Sequence, residues 1–226
     1  MFSEMFYKLW DNNLIQMGIW ETIYMTVIST AVAYLLGLPL GIILNVTDDK
    51  GICPMRWLNR VLSVVVNFFR SIPFIILMIA MLPVAKLIVG TSLGNKATIV
   101  MLIIAAAPYV ARMVESSIKE VNSGIIEAAQ SMGASNFQII WKVLLPEAKP
   151  SLIVGAVISM VTVLGYSAMA STIGGKGLGQ IAVVYGHQRG NSDIIWICVF
   201  LTVIIVQIIQ ELGMYLARRT DKRVRH

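Results

Sequence analysis

Five runs of mostly apolar residues dominate the chain: Ile19–Val46, Leu58–Leu82, Ala97–Val114, Leu152–Ile173 and Ile194–Ala217. A helix needs roughly 20 such residues to cross the hydrocarbon of a bilayer, so the runs predict five membrane-spanning helices. A soluble globule fails on quantity. Of 226 residues, 57% are hydrophobic and 13% charged, where ordinary domains carry about 45–50% and roughly a quarter. A chain of this length has too little interior to hide the excess. The expected fold is all-α and polytopic, one transmembrane domain over residues 1–226. Within the first run, Gly37 and Gly41 flank Pro39 in "GLPLG", a small-xxx-small spacing that predicts close helix approach. The N-terminal "MFSEMFYKLWDNNLIQMGIWET" lacks the basic n-region and small-residue cleavage site of a signal. It reads instead as a short amphipathic helix at the interface, with Trp10 and Trp20 as anchors.

An odd number of spans puts the termini on opposite sides, and the basic residues choose the sides. One side holds the tail (Arg218, Arg219, Lys222, Arg223, Arg225), the region of Arg112, Lys119, Lys142 and Lys149, and the loop with Lys50, Arg56 and Arg60. The other holds only Lys8, Lys86, Lys96, Lys176 and Arg189. The positive-inside bias predicts an N-out, C-in topology. The net charge of +6 is thereby assigned to topology, and nucleic-acid binding is not expected. Cys53 and Cys198 lie far apart without ligand spacing and predict two free thiols in apolar surroundings.

Between the third and fourth spans stands a segment that cannot cross a bilayer, "EAAQSMGASNFQIIWKVLLPEAKP", Glu127 to Pro150. Ser123 is placed to cap a short helix, and Gly133 to end it in the left-handed region. Ser135 with Gln138 fits a capping box opening a second helix. There Phe137, Ile140, Trp141 and Leu144 recur at helical spacing and predict an apolar face resting on the spans, with Pro146 as the stop. Ala128 and Ala129 make one side of the first helix thin, and Ile125 and Met132 supply apolar contact. Glu127 has no His, Cys or second carboxylate near it for acid–base work. A stiff, small-faced helix–turn–helix without chemistry suits docking to a moving partner.

Glu127-Ala128-Ala129, three residues, Gly133, nine residues, Val143, one residue and Leu145-Pro146 resemble the EAA loop of ABC importer permeases, with Val143 where the usual pattern has Ile. The resemblance implies a coupling helix, about 115–150 with its flanks, seated in a cleft of a separate ATP-binding subunit. It would place Ile125, Ile126, Glu127, Ala128, Ala129, Met132, Gly133, Ala134 and Pro146 at that contact. The chain has no G-x-x-x-x-G-K-[ST] loop, so it is not expected to hydrolyse ATP itself. No catalytic residue, metal or cofactor is expected in it; ATP and magnesium would belong to the partner. "FFRSIPFIIL", "APYVARMVESSIKEV" and "GYSAMASTIGGKGLGQIAVVYGHQR" further resemble methionine importer permeases. That resemblance implies a homodimer in the bacterial cytoplasmic (inner) membrane, carrying methionine of either hand from an extracytoplasmic methionine-binding lipoprotein. Permeases for glycine betaine, choline or phosphonate share the EAA loop and stay open as alternatives.

Ser159, Thr162, Tyr166 and Met169 lie three, four and three residues apart on the fourth span, along one stripe. Polar groups avoid lipid, so the stripe faces either a translocation path or a neighbouring helix. Arg70 is the ionisable residue well inside a span; it either belongs to the path or bonds carbonyls freed by Pro73. Arg112 and Glu115 are spaced for an ion pair. "GGKGLG" follows no strand and its lysine precedes glycine, so it reads as a turn letting the fourth span re-enter or meet a binding protein. His187 reads as a solvated loop residue. No nucleophile–base set or paired carboxylates accompany the spans, which argues against a membrane-embedded enzyme. A passive channel is the remaining rival class.

Overall fold

The computed structural model describes Trp10 and residues 12–221. Residues 1–9 and 11 of the expected interfacial N-terminal helix, Lys8 among them, and the tail bases Lys222, Arg223 and Arg225 lie outside the described residues; of its anchors, Trp10 is exposed and Trp20 stands exposed on the first long helix. The chain is helical, with no strand among the described residues. The helices are α1 (Leu14–Val46), α2 (Arg56–Ser71), α3 (Phe74–Ala80), α4 (Leu82–Val89), α5 (Asn95–Lys119), α6 (Ser123–Ser131) and α7 (Asn136–Ile173). A short α8 (178–187) and the long α9 (Ser192–Thr220) follow.

Among the described residues four helices are long and apolar enough to cross a membrane: α1, α5, α7 and α9. The second expected span, Leu58–Leu82, is not one helix. It divides into α2 and α3, bent by 103° between them. Pro73 has no N–H to continue the ladder and forces its predecessor out of the helical region, and Ile72 accordingly sits at φ −85, ψ 126. The pair counts as a fifth span only as a broken one.

α1 packs along α5, and its buried face consists mainly of small residues, among them Gly18, Thr22, Thr26, Ser29, Ala33, Gly37 and Gly41. A Cβ on Gly37 would lie 2.6 Å from Val110 Cγ1, and one on Gly41 2.5 Å from the Ala111 carbonyl oxygen. Large apolar side chains point outward instead, including Leu35, Leu36, Phe200, Ile204, Ile208 and Leu212. Small inside and large outside is the pattern for helices packed in hydrocarbon, where close backbone approach does the holding. Tyr34 of α1 donates to the Leu152 carbonyl of α7 at 3.0 Å, joining a third helix to the pair.

The glycine-rich turn does bring the chain back into the bundle. The Thr22 hydroxyl accepts the Leu178 N–H at 2.9 Å, and Asn95 Oδ1 accepts the Lys176 N–H at 2.9 Å. Leu178 and Ile181 of α8 are then buried with Ile15 of α1 and Ile194 and Ile197 of α9. His187 closes the wide last turn of α8.

The two ends of the bundle hold different segments. Asp48 in the loop after α1 pairs with Lys119 at the end of α5, and a cavity of about 400 Å³ is walled by Glu120, Glu147 and Arg218. The 47–55 loop, the α6 region, the start of α7 and the end of α9 therefore share one end. These are the segments that the charge bias assigns to the inside.

In Gly41→Ala the new methyl meets backbone, so the expected cost is about 1–3 kcal/mol, read as a lower melting temperature of the purified protein by about 2–4 °C per kcal/mol. Cys53 is exposed at the shared end and Cys198 is buried. A membrane-impermeant maleimide should label Cys53 only in permeabilised cells; labelling in intact cells would reverse the topology.

Candidate functional site

The polar segment between α5 and α7 is built from local capping. Asn122, not Ser123, caps α6: its Oδ1 accepts the Gly124 N–H at 2.8 Å. At the other end Gly133 stands at φ +79. The Ala134 N–H reaches the Ala129 carbonyl at 3.1 Å and the Gly133 N–H reaches Gln130 at 2.9 Å, the paired bonds of a Schellman closure. Ser135 and Gln138 form the capping box, with the Ser135 N–H on Gln138 Oε1 at 2.9 Å.

Two expectations for the second helix do not hold. Pro146 does not stop it: α7 continues through Pro146 to Ile173. Residues Ile140–Leu144 widen into a π-turn, and Pro146 falls in the first turn of the α-helical stretch beyond, where its missing N–H costs little. The same wide turn rotates the face. Ile139 and Leu144 are buried, whereas Phe137 and Trp141 are 69% and 57% exposed and lean on one another at 6.0 Å. They do not rest on the spans.

The knuckle thus shows an outer surface of Ile125, Glu127, Ala128, Gly133 and Met132, the last 81% exposed. Ala129 is buried, and Ile126 and Ala134 pack partly buried against the core. Of the two alanines only Ala128 makes the exposed side thin. Pro146 is exposed. The expected Arg112–Glu115 pair forms, and Lys119 adds to it, bonding Glu115 at 2.9 Å and Asp48 at 2.8 Å. The hydrogen bond from Lys119 holds the Asp48 carboxyl below its ordinary range. Sequence spacing gives the Arg112–Glu115 pair; nothing local points to Asp48.

The stripe on the fourth span divides among different surroundings. Ser159 is buried and donates to the Gly155 carbonyl of its own helix at 2.7 Å, and Thr162 donates to Ile158 at 2.8 Å. Met169 is exposed. Tyr166 stacks on Phe74 of α3, centroids 4.4 Å apart and planes 4° from parallel. Beside that stack lies a cavity of about 110 Å³ lined by Arg70, Tyr166, Phe69, Ile72, Phe74, Leu77, Ala105 and Tyr109. The structure therefore joins Arg70 to Tyr166 at the break between α2 and α3 and leaves Ser159 out. Arg70 sits in the last turn of α2, where the carbonyl end of the helix favours a cation. Phe74 and Tyr109 are not legible as members in the sequence, because which helix faces meet at the break is set by partners distant in the chain.

Comparison with known proteins places this geometry. Residues 37–226 match the family described as binding-protein-dependent transport system inner membrane component. The chain belongs to that family. It is a component of a transport system and a multi-pass protein of the inner membrane. It is 49% identical over 213 residues to the probable D-methionine transport system permease protein MetI of Vibrio cholerae, covering 94% of this chain and 95% of that one. The protein of the same description from Pasteurella multocida is 44% identical over 216 residues, covering 96% and 99%. Among solved structures, the inward-facing MetNI methionine ABC transporter superposes with a TM-score of 0.91 at 45% identity, over 92% of this chain and 97% of that one. An amino acid ABC transporter at 19% identity and a TM-score of 0.78 shares the fold.

The knuckle's closure yields a local prediction. Gly133→Val puts a β-branched side chain at positive φ, a conformation that costs about 1–2 kcal/mol even for simpler residues. Hydrogen exchange at the Ala134 amide should quicken about tenfold, while Gly133→Asn should change it little.

Proposed function

We propose that the chain is the permease subunit of an ATP-driven importer and that two copies form the path for methionine across the cytoplasmic membrane. Each copy docks one ATP-binding subunit through the outer surface of the α6 knuckle, on the cytosolic side in the N-out, C-in arrangement. An extracytoplasmic methionine-binding lipoprotein delivers substrate at the other end. The observation that carries this reading is the near full-length superposition on the MetNI methionine transporter at 45% identity. ATP and magnesium belong to the docked subunit, in keeping with the absence of a P-loop motif from the sequence.

Chemistry at the helix break supports a substrate bearing a carboxylate. The aromatic wall of Phe69, Phe74, Tyr109 and Tyr166 alone would suit a quaternary ammonium group. Arg70 in the same wall repels such a cation and attracts a carboxylate, and a thioether packs favourably at aromatic edges. The Phe74–Tyr166 stack joins α3 to α7 beside this cavity. Closure of the ATP-binding subunits moves the knuckles and exposes the path alternately to the two sides.

The test is uptake by the complex reconstituted in vesicles with labelled methionine. Uptake should need ATP and should be competed by unlabelled L- and D-methionine but not by glycine betaine or methylphosphonate. Equal competition by betaine would reassign the substrate, and ATP-independent flux would make the chain a channel.

A further inference from the structure

Helix α2 is fastened to the bundle by polar ties. Val66 is the only buried residue of its sixteen, so little apolar surface positions it. Instead Asn59 donates to the Leu44 carbonyl of α1 at 2.6 Å, and Arg112 of α5 donates through Nη2 to Asn67 Oδ1 at 3.1 Å. The same guanidinium donates through Nη1 to Glu115, whose other oxygen accepts Lys119 at 2.9 Å. Lys119 also donates to Asp48 at 2.8 Å. Asn67, Arg112, Glu115, Lys119 and Asp48 thus form one continuous line of side chains.

The line connects the two sites already described. Asn67 lies one helical turn before Arg70 and the break that carries the small cavity. Asp48, Gly51 and Ile52 line one cavity with Ser123, Ile126 and Glu127 of α6, and Lys119 ends α5 four residues before α6 begins. The four charges alternate in sign, and Glu115, with its side chain 8% exposed, stands in the middle. An apolar contact can slide while keeping most of its energy. The Arg112–Glu115 contact at the centre of the line, with side chains 22% and 8% exposed, cannot, because separating the partners strands a desolvated charge. The outer contacts, Arg112 with Asn67 and Lys119 with Asp48, are more exposed, and they join α2 and the 47–55 loop to that fixed centre on α5.

We infer that this line is the tie through which movement of the α6 knuckle repositions the broken helix α2–α3 and its cavity, with Arg112 and Glu115 as positioning residues for transport. The inference rests on the transport reading above. Removing Glu115 would strand Arg112 and Lys119 and could unfold the protein, so the test acts on the two ends. Asp48→Asn, Asn67→Ala and the double variant are prepared as intact complexes, checked by subunit co-purification and melting temperature. The readout is the number of ATP molecules hydrolysed per methionine imported. Each single variant should raise it about fivefold, the effect of one hydrogen bond. The double should be no worse than the worse single, because both cuts sever one line, and Asp48→Glu should restore most of the coupling.

Unchanged ratios in intact complexes, or effects that multiply as for independent sites, would overturn the tie. Hydrogen exchange on the same complexes is the arm that needs no transport. Asn67→Ala should quicken the amides of Gly51, Cys53 and Met55 in the distant 47–55 loop; unchanged protection there overturns the tie even where transport is normal. A parent complex without ATP-driven methionine uptake would instead overturn the transport reading, and the exchange result would still decide whether the line is mechanical.

Discussion

The close contact between α1 and α5 is the constraint on which the other helices are arranged. Inside lipid the surroundings are as apolar as the side chains, so burying a leucine there gains little; van der Waals contact between backbones does the holding. Gly37 and Gly41 permit that contact by leaving room for Val110, Ala107 and Ala111 where a Cβ would stand. With this pair set, Tyr34 reaches across to the α7 backbone. Gly213 of α9 meets Val157 of α7 by the same device, so α9 joins the body through α7. The large apolar side chains are left for the outer surface, where hydrocarbon accepts them.

Against this body the broken helix α2–α3 is held differently. Its stations are Asn59, Ser63 and Asn67 on one face, and Trp57, Val61, Val64 and Phe68 lie exposed on the other. An element with so little buried apolar surface contributes little to the rigidity of the bundle and can shift without emptying the core. That division between a close-packed frame and a polar-tethered helix suits a permease, in which part of the structure must move while the rest keeps the bilayer sealed. The cavity at Arg70 and Tyr166 lies where the two parts meet.

Features set by neighbours in the chain are legible in the sequence. Gly133 closes its helix and Ser135 with Gln138 opens the next because capping bonds run between residues two to five apart. The Arg112–Glu115 pair is of the same kind, one turn of one helix. Features set by distant partners are not. Asp48 meets Lys119 across 71 positions, and no periodicity marks it. Phe137 and Trp141 follow helical spacing with the apolar face, yet the π-turn beginning at Ile140 turns them outward. Hydropathy makes Leu58–Leu82 look continuous, since apolar content does not register that Pro73 removes a hydrogen bond.

The sequence by itself determined that the chain is a membrane bundle of apolar helices with a capped polar knuckle between two of them. Length, hydropathy and capping chemistry are properties of short segments and act wherever those segments are placed. Tertiary structure alone decided where the two arms of the broken second span lie, that Arg70 shares a cavity with Tyr166, and that Asn67 and Asp48 close on the charges of α5. Those depend on which helix faces meet, and in a membrane the meeting is chosen by small residues and polar partners far apart in the chain, which leave no pattern within any one segment.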